Sequence, residues 1–114
     1  MLADIKRQFA PREINDESLL LKSLAAKKSR DWDTAIDTWK LMLKSGRFGC
    51  LPHVELAKHH EHRLKDYKSA LNLTLAALKY IEFEQEFVSP AAYQNQLEAL
   101  KRRHRRLLKK LDSS

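Results

Sequence analysis

An all-α fold of antiparallel helix pairs, stacked as about two repeats and closed by a long C-terminal helix, is what this 114-residue chain predicts. Three observations carry the prediction. Chain breakers are scarce, with two Gly and three Pro, too few for a hairpin-rich β protein. Between them, apolar residues recur at i, i+3, i+4 and i+7, the stripe of a 3.6-residue helix. The third observation is internal. Asp31, Trp32, Ala35, Ile36, Trp39, Met42 and Leu43 recur 35 residues later as Asp66, Tyr67, Ala70, Leu71, Thr74, Ala77 and Leu78. A period of about 34 marks stacked helix pairs.

Each element has its own local reason. Residues 1–15 form an arm or a short helix, since Ile5, Phe9 and Ile14 supply apolar contacts while Pro11 interrupts any long helix. Residues 16–28 carry Leu20, Leu21 and Leu24 with small Ser23, Ala25 and Ala26, which let a partner helix approach closely. Asp31 begins the helix 31–45, its carboxylate placed to cap the first turn. Gly46 and Gly49 then bracket a loop, and Pro52 stands at the start of the helix 51–63, with Val54, Leu56 and Ala57 on its apolar side. Asp66 begins the helix 66–82 as Asp31 did, and Ser89-Pro90 opens the last helix, 89–114. The helical-repeat body is therefore 16–82 and the whole reads as a single domain.

These residues resemble the tetratricopeptide repeat family. Arg30-Asp-Trp-Asp-Thr-Ala-Ile36 and Lys65-Asp-Tyr-Lys-Ser-Ala-Leu71 are similar to its second-helix signature, Gly-Asp-Tyr-x-x-Ala-Ile, and Leu56-Ala57-x-x-His60 is similar to its first-helix Leu-Gly-x-x-Tyr. Arg30 and Lys65 replace the turn glycine, one extra residue precedes Asp66, and neither repeat ends in the usual Pro. The resemblance implies a non-enzymatic scaffold that holds a protein or a neighbouring domain. A narrower resemblance is carried by His53-Val-Glu-Leu-Ala-Lys-His-His-Glu-His-Arg-Leu-Lys-Asp-Tyr-Lys-Ser-Ala-Leu71, which is similar to the C-terminal helical region of bacterial proteins with a ribonuclease H-like, exonuclease-type domain. It implies that this chain is the C-terminal part of a larger protein with the nuclease upstream. The strand-borne Asp-x-Glu that holds metal in such nucleases does not occur here, and Asp31-Trp-Asp33 sits at a helix start.

Composition narrows the classes further. The longest apolar runs, 19–21 and 75–78, fall far short of the roughly 20 residues that span a bilayer. Cys50 is single, so no internal disulfide forms, and a monomer in a reducing cytoplasm is expected. His53, His59, His60 and His62 with Cys50 imitate metal-ligand spacing. On one helix, however, His59 and His60 point about 100° apart and His53 lies about 9 Å along the axis from His59, which argues against a single site. His60 is expected to fill the aromatic core slot instead. Cys50 lacks an oxyanion pocket, Glu82, Glu84 and Glu86 read as a solvated linker, and Gly46 and Gly49 lack a phosphate-loop context. No catalytic residue, cofactor or metal is assigned. Trp32 and Tyr67 are expected to wedge between paired helices; Phe48, Phe83 and Phe87 lie in or beside loops and could meet a partner.

The last helix carries the clearest local signal. Tyr93, Leu97, Leu100, His104, Leu107, Leu108 and Leu111 share one face, which should dock on the second repeat. Lys101, Arg102, Arg103, Arg105, Arg106, Lys109 and Lys110 occupy the rest. Of the formal net charge of +7, residues 99–114 hold +6, seven Lys or Arg against Asp112. Those seven are the candidates for contact with nucleic-acid backbone phosphates, an alternative to the protein-scaffold reading. The competing readings of that surface are a solvated charged face and an amphipathic membrane-surface helix.

Overall fold

The computed structural model describes residues 15–113, so the expected arm at 1–15 lies almost wholly outside the described residues. All regular structure among them is helical: α1 (Asp16–Ser29), α2 (Trp32–Ser45), α3 (Leu51–Lys58, continued by a π-helical turn His59–Arg63), α4 (Tyr67–Glu84) and α5 (Pro90–Ser113). The chain divides between Phe48 and Gly49 into two compact units.

The first unit holds the pair α1 and α2. Asn15 caps α1 by accepting from the Ser18 N–H, and Asp31 caps α2 by accepting from the Thr34 N–H. Between the helices the chain turns at Arg30 (φ 63°), where the Asp31 N–H reaches back to the Ala26 C=O at 2.8 Å and the Arg30 N–H to Lys27 C=O at 3.2 Å. This is the left-handed helix ending that usually selects glycine. Arg30 adopts it because the two bonds it closes satisfy carbonyls that the helix end would otherwise strand. An ion pair from Arg47 to Asp16 joins the end of α2 to the start of α1, at 2.8 Å. Both partners are exposed, so its contribution is small.

Small residues make the close contact between these helices. Ala35 is fully buried on α2 with Thr38, Trp39 and Met42, facing Leu19, Ser23 and Ala26 of α1. Here the expected stripe of α1 is corrected: Leu21 and Leu24 are 57% and 53% exposed, Ala25 is exposed too, and the inward residues are Leu19, Ser23 and Ala26. Bulky leucines would hold α2 away, so the interface selects Ser and Ala instead.

The second unit holds α3, α4 and α5. Pro52 sits in the first turn of α3, Asp66 caps α4 through the Ser69 N–H, and Ser89 caps α5 through the Ala92 N–H. Lys65 (φ 55°) repeats the left-handed turn of Arg30. The extra residue before Asp66 also has its place. The Asp66 N–H bonds to His60, six residues back, where Asp31 bonds to Ala26, five back. The added residue is absorbed as a π turn, closed by the Leu64 N–H on the His59 C=O at 3.2 Å.

Ala70, Thr74, Ala77 and Ile81 form the buried side of α4. α5 packs along α4 and buries Leu100 and Leu107 completely or nearly so, with Tyr93, Leu97, His104 and Leu111 partly covered. The expected docking of the last helix on the second pair is therefore observed, with the correction that Leu108, at the edge of the expected stripe, is 45% exposed. Cys50, Ala77, Ile81 and Leu100 make one apolar cluster, joined by Val54, Leu78 and Tyr93. Gly49 faces this cluster's edge: its φ is +61°, and a Cβ there would stand 2.7 Å from the Glu84 Oε1.

Candidate functional site: the basic helix and its carboxylate

Glu61 is the residue around which the polar side of the second unit is built. It lies in the π turn, one helical turn beyond buried Ala57, and is itself fully buried. A buried carboxylate needs compensating donors. Three cations of α5 provide them. Arg103 Nη1 donates to Oε1 at 2.6 Å, Arg106 donates from Nε to Oε2 at 2.6 Å and from Nη2 to Oε1 at 2.8 Å, and Lys110 Nζ donates to Oε2 at 2.8 Å. The spacing i, i+3, i+7 puts all three on one side of α5. Lys110 also stands over the Tyr67 ring, 5.1 Å from its centroid, a cation–π contact that ties the cluster to the start of α4.

Burial alone would push the Glu61 carboxyl up. The hydrogen bonds from Arg106 and Lys110, with the Arg106 charge, overrule it and hold the carboxyl at about 2, below its ordinary 4.5. Arg106 responds in kind, its guanidinium held above its ordinary value by the same bond.

This cluster divides the seven candidate cations. Arg103, Arg106 and Lys110 are engaged by Glu61. Lys101, Arg102, Arg105 and Lys109 are exposed, and their side chains have no hydrogen-bonding or ionic partner among the described residues. At 100° per residue the four fall within about 100° of arc, the three engaged cations within about 60° beside them, and the apolar stripe on the remainder. The last helix thus has three faces rather than two.

Sequence reasoning did not find Glu61, whose partners lie 42 to 49 residues away. The available signal was the i, i+3, i+7 spacing of Arg103, Arg106 and Lys110 next to a single acid in a His-rich turn. The histidines also differ from expectation. His59 is the buried one, while His60 is only half-buried and approaches Asp66 with Nδ1 at 3.7 Å. His53 instead lies against Tyr80, ring centroids 5.9 Å apart. Among the described residues no three His, Cys, Asp or Glu side chains converge as metal ligands. Phe83 and Phe87 are strongly exposed, and Phe48 is partly covered.

A second carboxylate is less well served. Glu84 leans on Gly49 with Oε1 buried and lacking a hydrogen bond, and burial pushes its carboxyl up. Its folded-state pKa exceeds the unfolded one, so ionisation opposes folding at neutral pH. Glu84→Gln should therefore raise stability at pH 7, and the gain should vanish as the pH falls below the carboxylate range. Urea melts at pH 7 and pH 4 check this.

No protein-family model matches the chain, and no curated protein or solved structure matches it. No helix among the described residues is long and apolar enough to cross a membrane. Fold and site define an all-α protein of helix pairs whose last helix is fastened by a buried carboxylate.

Proposed function

We propose that the chain is a non-enzymatic helical-repeat module that binds a protein segment or a neighbouring domain, as the C-terminal part of a larger protein. The observation that carries this reading is the outward apolar face of α1. Leu19, Ser23 and Ala26 face α2, and on the opposite side Leu21 and Leu24 stand more than half exposed, one turn apart. Glu17 and Lys28 flank the two leucines along the same side, so the pair forms an apolar spot bordered by charges. Contiguous exposed apolar side chains on a helix are the usual seat of a partner helix or extended segment. The tetratricopeptide-like turns at Arg30 and Lys65, with carboxylate caps at Asp31 and Asp66, support the same reading, because rigid pairs hold such a face fixed.

The test is photo-crosslinking from position 24 in cells, with position 40 on the exposed side of α2 as control, followed by binding of the purified cross-linked protein. Leu21→Glu with Leu24→Glu should weaken that binding at least tenfold and leave the melting temperature within about 2 °C, since exposed positions change stability little. Identical products from positions 24 and 40, or undiminished binding by the double variant, would overturn the proposal.

A further inference from the structure

The face of α5 that Glu61 does not neutralise asks for a separate explanation. We infer that Lys101, Arg102, Arg105 and Lys109 form a track for the phosphodiester backbone of a nucleic acid, read without regard to base sequence.

Three features of this helix carry the inference. The first is the division of labour among its cations: Arg103, Arg106 and Lys110 have a structural partner in Glu61, whereas the four others have none among the described residues. The second is their geometry. Lys101, Arg105 and Lys109 follow one another at i, i+4 and i+8, so their stems leave the helix about 6 Å apart and cover about 12 Å of axis. That length matches three to four phosphates of one strand at about 3.4 Å each. The same spacing places like charges at i, i+4, which destabilises a helix. A face serving only solubility is built more cheaply by alternating signs. Glu98 and Asp112 lie within the same arc, one turn before Lys101 and one turn after Lys109 along the axis, and neither forms an ion pair with the four.

The third feature is shape. Toward the C-terminal end, Arg105, Arg106 and Lys109 border a shallow open depression together with Leu108, Leu111 and Asp112, and Lys109, Lys110 and Ser113 line a neighbouring one with Arg106 and Tyr67. The surface is shallow and open there, so a strand would lie along the exposed side of the helix rather than enter a cleft. The Glu61 cluster contributes indirectly, by holding α5 rigid and turning the four cations outward.

Fluorescence anisotropy with a labelled 20-mer, single-stranded and duplex, of two unrelated sequences, tests the inference on the full chain. Both sequences should bind alike. Affinity should fall about 50-fold for the single strand and about 150-fold for the duplex between 50 and 200 mM salt, as expected for four phosphates neutralised. Lys101→Gln, Arg102→Gln, Arg105→Gln and Lys109→Gln combined should abolish binding at 50 mM salt while the melting temperature holds. Absence of binding at low salt, undiminished binding by the quadruple variant, or tighter binding to vesicles containing anionic lipid than to either oligonucleotide would overturn it.

Discussion

Glu61→Gln should lower the stability of this protein by about 3 kcal/mol, the largest effect expected of any single polar substitution in it. The carboxylate is fully buried and receives four hydrogen bonds from Arg103, Arg106 and Lys110. Glutamine keeps the shape but removes the charge and turns an NH2 toward cations, which leaves the cluster uncompensated. Breaking a buried pair by deleting one partner typically costs about 3–5 kcal/mol. A second argument gives the same size. Glu61 is held at about 2 against an ordinary 4.5, and at about 1.4 kcal/mol per unit that difference is worth about 3 kcal/mol. For a domain of this length the melting temperature should fall by roughly 12–24 °C.

The pH dependence follows with a definite sign. A carboxyl depressed in the folded state contributes its full stabilisation above the unfolded value of 4.5 and loses it as the pH drops toward 2. The gap between wild type and Glu61→Gln should therefore be constant above pH 5 and close between pH 4.5 and about 2. Denaturant melts of both proteins across that range measure it. Arg102→Gln, at an exposed and unpaired cation, should change stability by less than about 0.5 kcal/mol at every pH.

The second large effect is steric. Ala35 and Ala70 are fully buried at equivalent places in the two helix pairs, each four residues after a capping Asp. Ala70→Leu inserts three carbons where no space exists, and overpacking of this kind costs about 1–3 kcal/mol or more. Ala35→Leu should do the same in the first unit. Far-UV circular dichroism should show helix retained at low temperature with an earlier melt in both variants. A wild-type melt for either would mean that the second helices do not present these positions inward.

Both effects differ in how far the sequence discloses them. The alanines are legible because they belong to a local, repeated pattern: a carboxylate cap, an aromatic residue, then a small residue one turn on. Asp31 and Asp66, the helix starts at Trp32 and Tyr67, and the buried Leu100 and Leu107 all follow from periodicity within one helix. Even the missing turn glycines are informative, since Arg30 and Lys65 take up the left-handed turn that glycine would occupy.

What periodicity could not supply is the choice between two apolar faces or between two basic ones. α1 carries leucines on both sides, and only the close approach of α2 decides that Leu19 turns in while Leu21 and Leu24 turn out. The cations of α5 look uniform in the sequence because their partner is distant along the chain. A single buried acid, reached across the second unit, separates three fastening residues from four outward ones. The added residue before Asp66 is legible as an irregularity, but its form as a π turn, with His59 rather than His60 buried, depends on tertiary contacts.

The measurement that tests the fastening of the last helix most directly is a double-mutant cycle between Glu61→Gln and Arg106→Gln in urea at pH 7, with Glu61→Gln and Arg102→Gln as the reference cycle. A coupling of about 1.5 kcal/mol or more for Glu61 with Arg106, and none resolvable for Glu61 with Arg102, is the predicted result. Equal couplings in the two cycles, or none in the first, would contradict it.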